Sequence, residues 1–533
     1  MKKKNLIIIS CVALALVSLT TATYAYLRTG VMGDISASTG NINLVVNEAN
    51  ANLNEKFNIV LKRSDTEEFV IPGDSGYFDI NINATGSVDS VDATVTLDRT
   101  GLPNNLKFYV DENFTEEYTS KMYTIKKAET MVKTVKVYWY WKDIDDENDS
   151  LFIGKTITAN ASITATIHTP TFSETLIASA YNNLDTNVSF GRGSSTTNGI
   201  GLMMRDGTQN DEYPIVYYRG NITNNNVIFA DLCWLIVRTT ETGGIKLVFN
   251  GPVVENTDGT ESCTNYSGVG GETANTSYTD VFAGNATTAF NPSSNSPVYV
   301  GYMYNDTNKY YDSKTKILDG TSYLVHLSDN TIDNTTGRHT QNLKDSTIKG
   351  VVDAWYEANI KGKAEEILLE DTVWCNDRSV ISETYTIENM TNGTQTQIHF
   401  AAFTRLYENA KKTPSLECSR DMDKFTVESS NGNGDLTYPI GLLTADEIYL
   451  AGHPFDSSQT TYLRLTSGGK QWFLSPSSFY ASNNNAGLFF LDFDKLSHLA
   501  PKGVNGARPS VSLGLGATIT GGDGSYQSPY IVG

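Results

Sequence analysis

The histidines of this 533-residue chain are His168, His326, His339, His399, His453 and His498. A zinc peptidase places two histidines on one helix face with a glutamate as base, the HExxH spacing. No two of the six lie within four residues of each other, and none sits in that motif. A GxSxG nucleophile elbow is also absent. Gly268-Val269-Gly270-Gly271 and Gly521-Gly522-Asp523-Gly524 are glycine-rich, but neither is a phosphate-binding loop. The first reads as a loop, the second as a turn joining terminal strands at Ala517-Thr518-Ile519 and Pro529-Tyr530-Ile531-Val532.

Cys11 lies in an apolar N-terminal stretch, leaving Cys233, Cys263, Cys375 and Cys418. Four cysteines allow three pairings. Sequence neighbours close the shortest loops, so the expected bridges are Cys233–Cys263 and Cys375–Cys418, with buried free thiols as the alternative. On the chain-entropy account each bridge stabilises by about 3–4 kcal/mol. No CxxC or HxxxH pair offers zinc its usual ligands. A Cys–His nucleophile needs a thiolate outside any disulfide, which the pairing denies. Carboxylates crowd at Asp143, Asp145, Asp146, Glu147 and Asp149. Asp143, Asp145, Glu147 and Asp149 form a candidate calcium loop, although the glycine at the bend and a correctly spaced final glutamate are missing. The other reading is a solvated acidic hairpin tip. The Tyr138-Trp139-Tyr140-Trp141 run reads as core plus sheet edge rather than a sugar platform, and Trp234 and Trp472 read as core. Nothing here marks an enzyme.

The residues that must position these groups are β-rich. Hydrophobic content is 39%, aromatics 11% and charged residues only 19%, a composition suited to a packed extracellular protein. The net charge of −20 disfavours nucleic acid and anionic lipid as partners. Lys2, Lys3 and Lys4 precede an apolar run from Leu6 to Thr20, and Thr23-Tyr24-Ala25 follows. That is the three-part pattern of a secretory signal. Cleavage is expected after Ala25, with an uncleaved membrane anchor as the alternative.

Residues 26–170 alternate in period two. Phe78, Ile80 and Ile82 form one such face. Val91, Ala93, Val95 and Leu97 form another, as do Val135, Val137, Trp139 and Trp141. Ile157, Ala159, Ala161, Ile163, Ala165 and Ile167 give the longest run. One wet face means antiparallel sheet. Turns at Pro72-Gly73-Asp74 and Gly101-Leu102-Pro103-Asn104 break it into short strands, predicting an all-β sandwich of jelly-roll or Ig-like type. Residues 171–200 read as a linker, with a short helix at Phe172–Tyr181. Residues 201–533 read as an α+β domain with a twisted antiparallel sheet and two main helices. Strands are expected at Tyr213–Arg219, Val227–Arg238, Ile245–Phe249, Thr461–Leu465, Gly487–Leu491 and Ser510–Leu515. A helix capped by Asp345 or Ser346 has Ile348, Val351, Val352, Trp355 and Tyr356 on its apolar face. Thr444 and Glu447 make a capping box for a second helix, Ala445–Leu450.

Two stretches resemble known groups. Tyr24-Ala25-Tyr26-Leu27, then Ser36-Ala37-Ser38-Thr39-Gly40-Asn41-Ile42-Asn43-Leu44, then Pro72-Gly73-Asp74-Ser75-Gly76 resemble the TasA/camelysin family over roughly residues 1–170. That resemblance implies a secreted β-sandwich. Some members build biofilm matrix fibres, and a metallopeptidase label attaches to some camelysins. The second region is similar to a recurrent domain, without assigned activity, of exported proteins of Gram-positive gut bacteria. The matching pieces are Tyr218-Arg219-Gly220-Asn221, Leu232-Cys233-Trp234-Leu235-Ile236-Val237-Arg238 and Val298-Tyr299-Val300-Gly301-Tyr302-Met303-Tyr304. They continue with Trp374-Cys375-Asn376-Asp377-Arg378, Thr437-Tyr438-Pro439-Ile440-Gly441-Leu442, Thr444-Ala445-Asp446-Glu447, Trp472-Phe473-Leu474-Ser475-Pro476 and Ala507-Arg508-Pro509. The last two look distantly like the C-type-lectin-like and sulfatase-modifying-factor folds.

The expected function is therefore a secreted or cell-surface structural or display protein, contributing to matrix or adhesion. The alternative is an adhesin that binds a glycan or host surface protein through its C-terminal domain. An acidic or aromatic pocket there favours binding. The arm Tyr26–Thr39, with Tyr26, Leu27, Val31, Met32 and Ile35, is a candidate for self-assembly by strand addition. No cofactor other than calcium is expected, and membrane contact only through an uncleaved signal segment.

Overall fold

The computed structural model describes residues 42, 45–46, 56–62, 69–127, 130–144, 149–205, 213–271, 274–305, 342–379, 397–409, 412–466, 468–480 and 485–533. The signal segment and the arm Tyr26–Thr39 lie outside these residues. Most of the described chain is β-strand in several sheets, with four α-helices among the described residues. It divides into two compact units, Gly33–Thr169 and the chain from Pro170 onward.

The first unit holds β1 (Val45–Val46), β2 (Lys56–Val60), β3 (Ser75–Asn83), β4 (Val91–Asp98), β5 (Leu106–Tyr109), β6 (Ser120–Ile125), β7 (Val132–Trp141) and β8 (Thr158–Ile167). They form two four-stranded antiparallel sheets, ordered β1-β3-β7-β5 and β2-β8-β4-β6. Alternation does what it predicts. Ile80, Ile82, Val91, Ala93, Val95, Val135, Val137, Ala159, Ala161 and Ile163 from both sheets join one core cluster. Trp139 and Trp141 are fully buried in it, while Tyr138 and Tyr140 are half-buried. Gly73 at the Pro72-Gly73-Asp74 turn has φ +93°, and Asp74 Oδ2 accepts from the Ile71 N–H at 2.9 Å. Gly76 pairs with Trp139, whose indole covers it so closely that an added Cβ would lie 2.9 Å from the ring.

The second unit carries a nine-stranded and a six-stranded sheet with several two-stranded ribbons. The helices Thr347–Asn359 and Ala445–Leu450 stand where their caps place them. Ser346 Oγ accepts from Lys349 N, and Thr444 with Glu447 forms the full capping box. Ile348, Val352, Trp355 and Tyr356 are buried as expected, and Val351 is half-buried. Lys349 lies on the buried side too, with its ammonium 2.7 Å from Asp353. Trp234 packs at 5.6 Å from Phe249 and 5.9 Å from Trp355, and Trp472 at 6.0 Å from Phe290 and Phe490.

Three expectations need correction. The single strand over Val227–Arg238 is a hairpin, Asn226–Phe229 paired with Leu232–Thr239. Its turn residues Ala230 and Asp231 have φ +53° and +55°, the two left-handed positions of a tight primed turn. Only Asp231 breaks the apolar run, and no glycine or asparagine marks the turn. Thr461–Leu465 is not a strand. Its buried carbonyls are met by side chains instead, Leu463 O accepting from Gln471 Nε2 at 3.1 Å and Arg508 Nη1 at 3.3 Å.

Residues 171–200 are not a linker. The helix Phe172–Ala180 buries Phe172 and Leu176 in the second unit's core. Arg219, fully buried, then clamps the rest. It donates to Asn198 O and Arg192 O and to Tyr449 O and Leu450 O, all at 2.9–3.2 Å. A guanidinium can satisfy that many carbonyls, and the last two belong to a helix C-terminus, where a cation is favoured.

Gly76→Val is expected to destabilise Gly33–Thr169 by about 1–3 kcal/mol through overpacking against Trp139. The thermal transition of that unit measures it, and an unchanged midpoint would show that the indole can move aside.

Candidate functional site

Of the residues with chemical potential, the structure gathers a different set from the one the sequence singled out. The strands Leu232–Thr239 and Ile245–Pro252 are neighbours, and a register shift between Ile236 and Arg238 sets Arg238 opposite Lys246. Such a β-bulge re-aims side chains. Two cations directly opposite on adjacent strands repel, and both are buried. The helix Ala445–Leu450 supplies the counter-charge. Glu447 Oε1 accepts from Arg238 Nε and from Lys246 Nζ, each at 2.8 Å. Its Oε2 accepts from the Thr444 N–H at 2.9 Å. Burial alone would raise the Glu447 pKa, but Lys246 and Arg238 hold it down at about 2. Burial lowers the pKa of Lys246, whose ammonium also lies 4.3 Å from the Trp374 ring centroid.

The preceding residue builds a second ion pair. Asp446 takes two bonds from Arg405, Nε to Oδ1 and Nη2 to Oδ2, both 2.7 Å. Arg405 Nη1 reaches Asp377 Oδ2, also at 2.7 Å. The Ser415 N–H donates to Asp446 Oδ1 at 2.9 Å. These groups line a cleft of about 630 Å³, with Glu370 and Thr242 on one wall and the cystine Cys375–Cys418 beside it. The volume falls in the usual range for small-molecule or peptide-segment sites. Among the described lining residues there are seven carboxylates and five cations, no histidine and no aromatic ring.

Both expected disulfides are present, Cys233–Cys263 and Cys375–Cys418, each with Cα atoms 5.7 Å apart. They fit an oxidising environment outside the cytosol. The second joins the Trp374–Cys375 strand to the Ser415–Cys418 segment, so it holds two walls of the cleft together.

The calcium candidate is not assembled in what can be seen. Asp145 and Glu147 lie outside the described residues, and Asp149 is buried with Oδ1 3.1 Å from the Trp141 indole nitrogen. Among the described residues no group of three His, Cys, Asp or Glu could hold a metal ion. The histidines are dispersed. His168 pairs with Asp92 at 2.9 Å, His399 pairs with Glu408, and His453 is fully buried between Thr461 and the Asp494 carbonyl. His498 stacks near Phe403 and Phe455, and His326 and His339 lie outside the described residues. Sequence reasoning found Glu447 only as a cap. Arg238, Asp377 and Asp446 stood within the short pieces quoted above but without an assigned role, and Lys246, Arg405 and Glu370 carried no local signal.

No family model matches this sequence, and neither a curated protein nor a solved structure does so.

Glu447→Gln should cost about 3–5 kcal/mol at pH 7, because it leaves two buried cations short of their anion. A carboxylate whose folded pKa is depressed stabilises above its unfolded value, and that gain disappears as pH falls through the folded value. The gap between wild type and variant should therefore be constant above about pH 5 and shrink from pH 4.5 toward pH 2. Urea unfolding across that range tests it; a gap that does not narrow would overturn the role assigned to the triad.

Proposed function

We propose that this chain is an exported surface-display protein whose C-terminal unit binds a polar ligand in the cleft beside Cys375–Cys418. The observation that carries this reading is the cleft itself. Arg238, Lys246, Arg405, Glu447, Asp446 and Asp377 are held in place by mutual ion pairs rather than by the ligand, so they are organised before anything binds. The two lining cysteines are bonded to each other. Ion-paired arginines and carboxylates beside a cystine suit recognition more than turnover.

Export has three supports: the basic-apolar-small pattern of residues 2–25, the two disulfides and the low charged content with net charge −20. The resemblance of residues 1–170 to the TasA/camelysin family agrees with these. In this reading the two four-stranded sheets of Gly33–Thr169 are the layers of a β-sandwich that presents the C-terminal unit. That unit acts as an adhesin toward a protein or glycan on another surface.

Binding of the mature full-length chain to peptide and glycan arrays, wild type beside Val373→Trp, tests the reading. Val373 is half-buried on the cleft wall, and an indole there fills the space. At least one ligand class should bind wild type and lose tenfold or more in the variant, about 1.4 kcal/mol. Arrays with no signal, or signals the variant keeps in full, would overturn it.

A further inference from the structure

Of the seven carboxylates that line the cleft, Glu417 is exposed, and the ion pairs of the others do not reach Glu370. Glu447, Asp446, Asp377 and Glu241 each have a cleft cation within 3.2 Å. Asp371 accepts from the backbone N–H groups of Val427 and Glu428, both at 2.8 Å. Glu370 is different. Its described partners are hydroxyls, Thr240 Oγ1 at 3.3 Å from Oε2 and that of Thr242, and no described cation is within ion-pair reach of it.

The chain nevertheless builds Glu370 into place. Its N–H donates to Ser512 O at 2.8 Å, and the next residue but one, Thr372, bonds the Ser512 hydroxyl at 2.7 Å. The carboxylate lies over Gly244, where an added Cβ would come 2.1 Å from the Leu513 carbonyl and 2.5 Å from Oε2. The hairpin loop has a glycine where that carbonyl and Glu370 both approach. Burial raises the acid's pKa, and nearby Glu241 and Asp371 push the same way. A carboxylate held in a cleft wall without a counter-ion either takes up a proton or pairs with a cation brought from outside.

We propose that the cleft takes a basic peptide segment and that Glu370 seats a lysine-type ammonium of it. A peptide is favoured over an amino sugar by the rest of the lining. No described lining residue offers a ring for a pyranose to stack on, whereas Thr242, Thr372, Ser415 and Ser475 offer hydroxyls that can bond to peptide groups. The proposal rests on the cleft being the binding site.

Calorimetric titration of the mature full-length chain tests it, with N-acetyl-trilysine amide as probe. The comparison arms are the same peptide with its side-chain amines acetylated, chitosan trimer, and Glu370→Gln and Val373→Trp variants. The expected result is saturable trilysine binding that weakens tenfold or more on acetylation, in Glu370→Gln and in Val373→Trp. Glu370→Gln should keep the wild-type melting temperature or raise it, since it removes a half-buried carboxylate without a counter-ion. Trilysine binding that Glu370→Gln leaves intact would overturn the seat. Chitosan trimer binding through Glu370 without trilysine binding would assign the ammonium to a sugar and overturn the peptide. Failure of trilysine while an array ligand still depends on Val373 would sink this proposal and leave the cleft as a binding site. Failure of every ligand to depend on Val373 would remove the cleft reading as well.

Discussion

Two buried cations set opposite each other across a β-ladder are unstable unless an anion is placed between them. In the C-terminal unit Glu447 is that anion, and its position depends on the capping box that starts its helix. Thr444 fixes the first turn, the first turn fixes Glu447 and Asp446, and those two carboxylates fix Arg238, Lys246 and Arg405. Desolvating such groups costs several kcal/mol each, so the network is tolerated only because every member is paired. The same network makes the floor of the cleft. The residues that stabilise this unit therefore also shape the cleft, and the cleft is braced where its charges are densest.

Buried guanidinium groups solve a wider problem in this unit. Long irregular connections bring backbone carbonyls inside, where each needs a donor. Arg219 meets four of them. Arg508 meets Phe249 O and Leu463 O, and Arg378 meets Met303 O and Met422 O while pairing with Asp423. These three arginines act as structural clamps: they join segments far apart in sequence, and none of the three lines the cleft.

The two units use opposite strategies. Gly33–Thr169 is held by alternation, with apolar side chains inward and polar ones outward, and its core cluster is apolar. The C-terminal unit buries charges, the cystine Cys233–Cys263 and irregular loops. A regular scaffold suits presentation, and irregular, clamped loops suit a shaped site.

Sequence alone determined what depends on near neighbours. Period-two alternation placed the eight-strand unit because inward and outward positions follow from the pleat. Capping placed both main helices because the Ser346 and Thr444 hydroxyls each take the N–H three residues on, a local bond that satisfies the first turn whatever surrounds it. Neighbouring cysteines gave both bridges. Only the tertiary structure decided the cleft. Arg238 and Glu447 are 209 residues apart, and Lys246 faces Arg238 through a bulge that no pattern announces. The turn at Ala230-Asp231 has neither glycine nor asparagine to announce it, and residues 171–200 look like a linker until Arg219 is seen to hold them. Glu370 reads as one more surface acid until the fold sets it over Gly244 without a cation. The physical reason is the same in each case: a charge's role is set by what lies within about one Debye length of it, and along an irregular chain the sequence does not say what that will be.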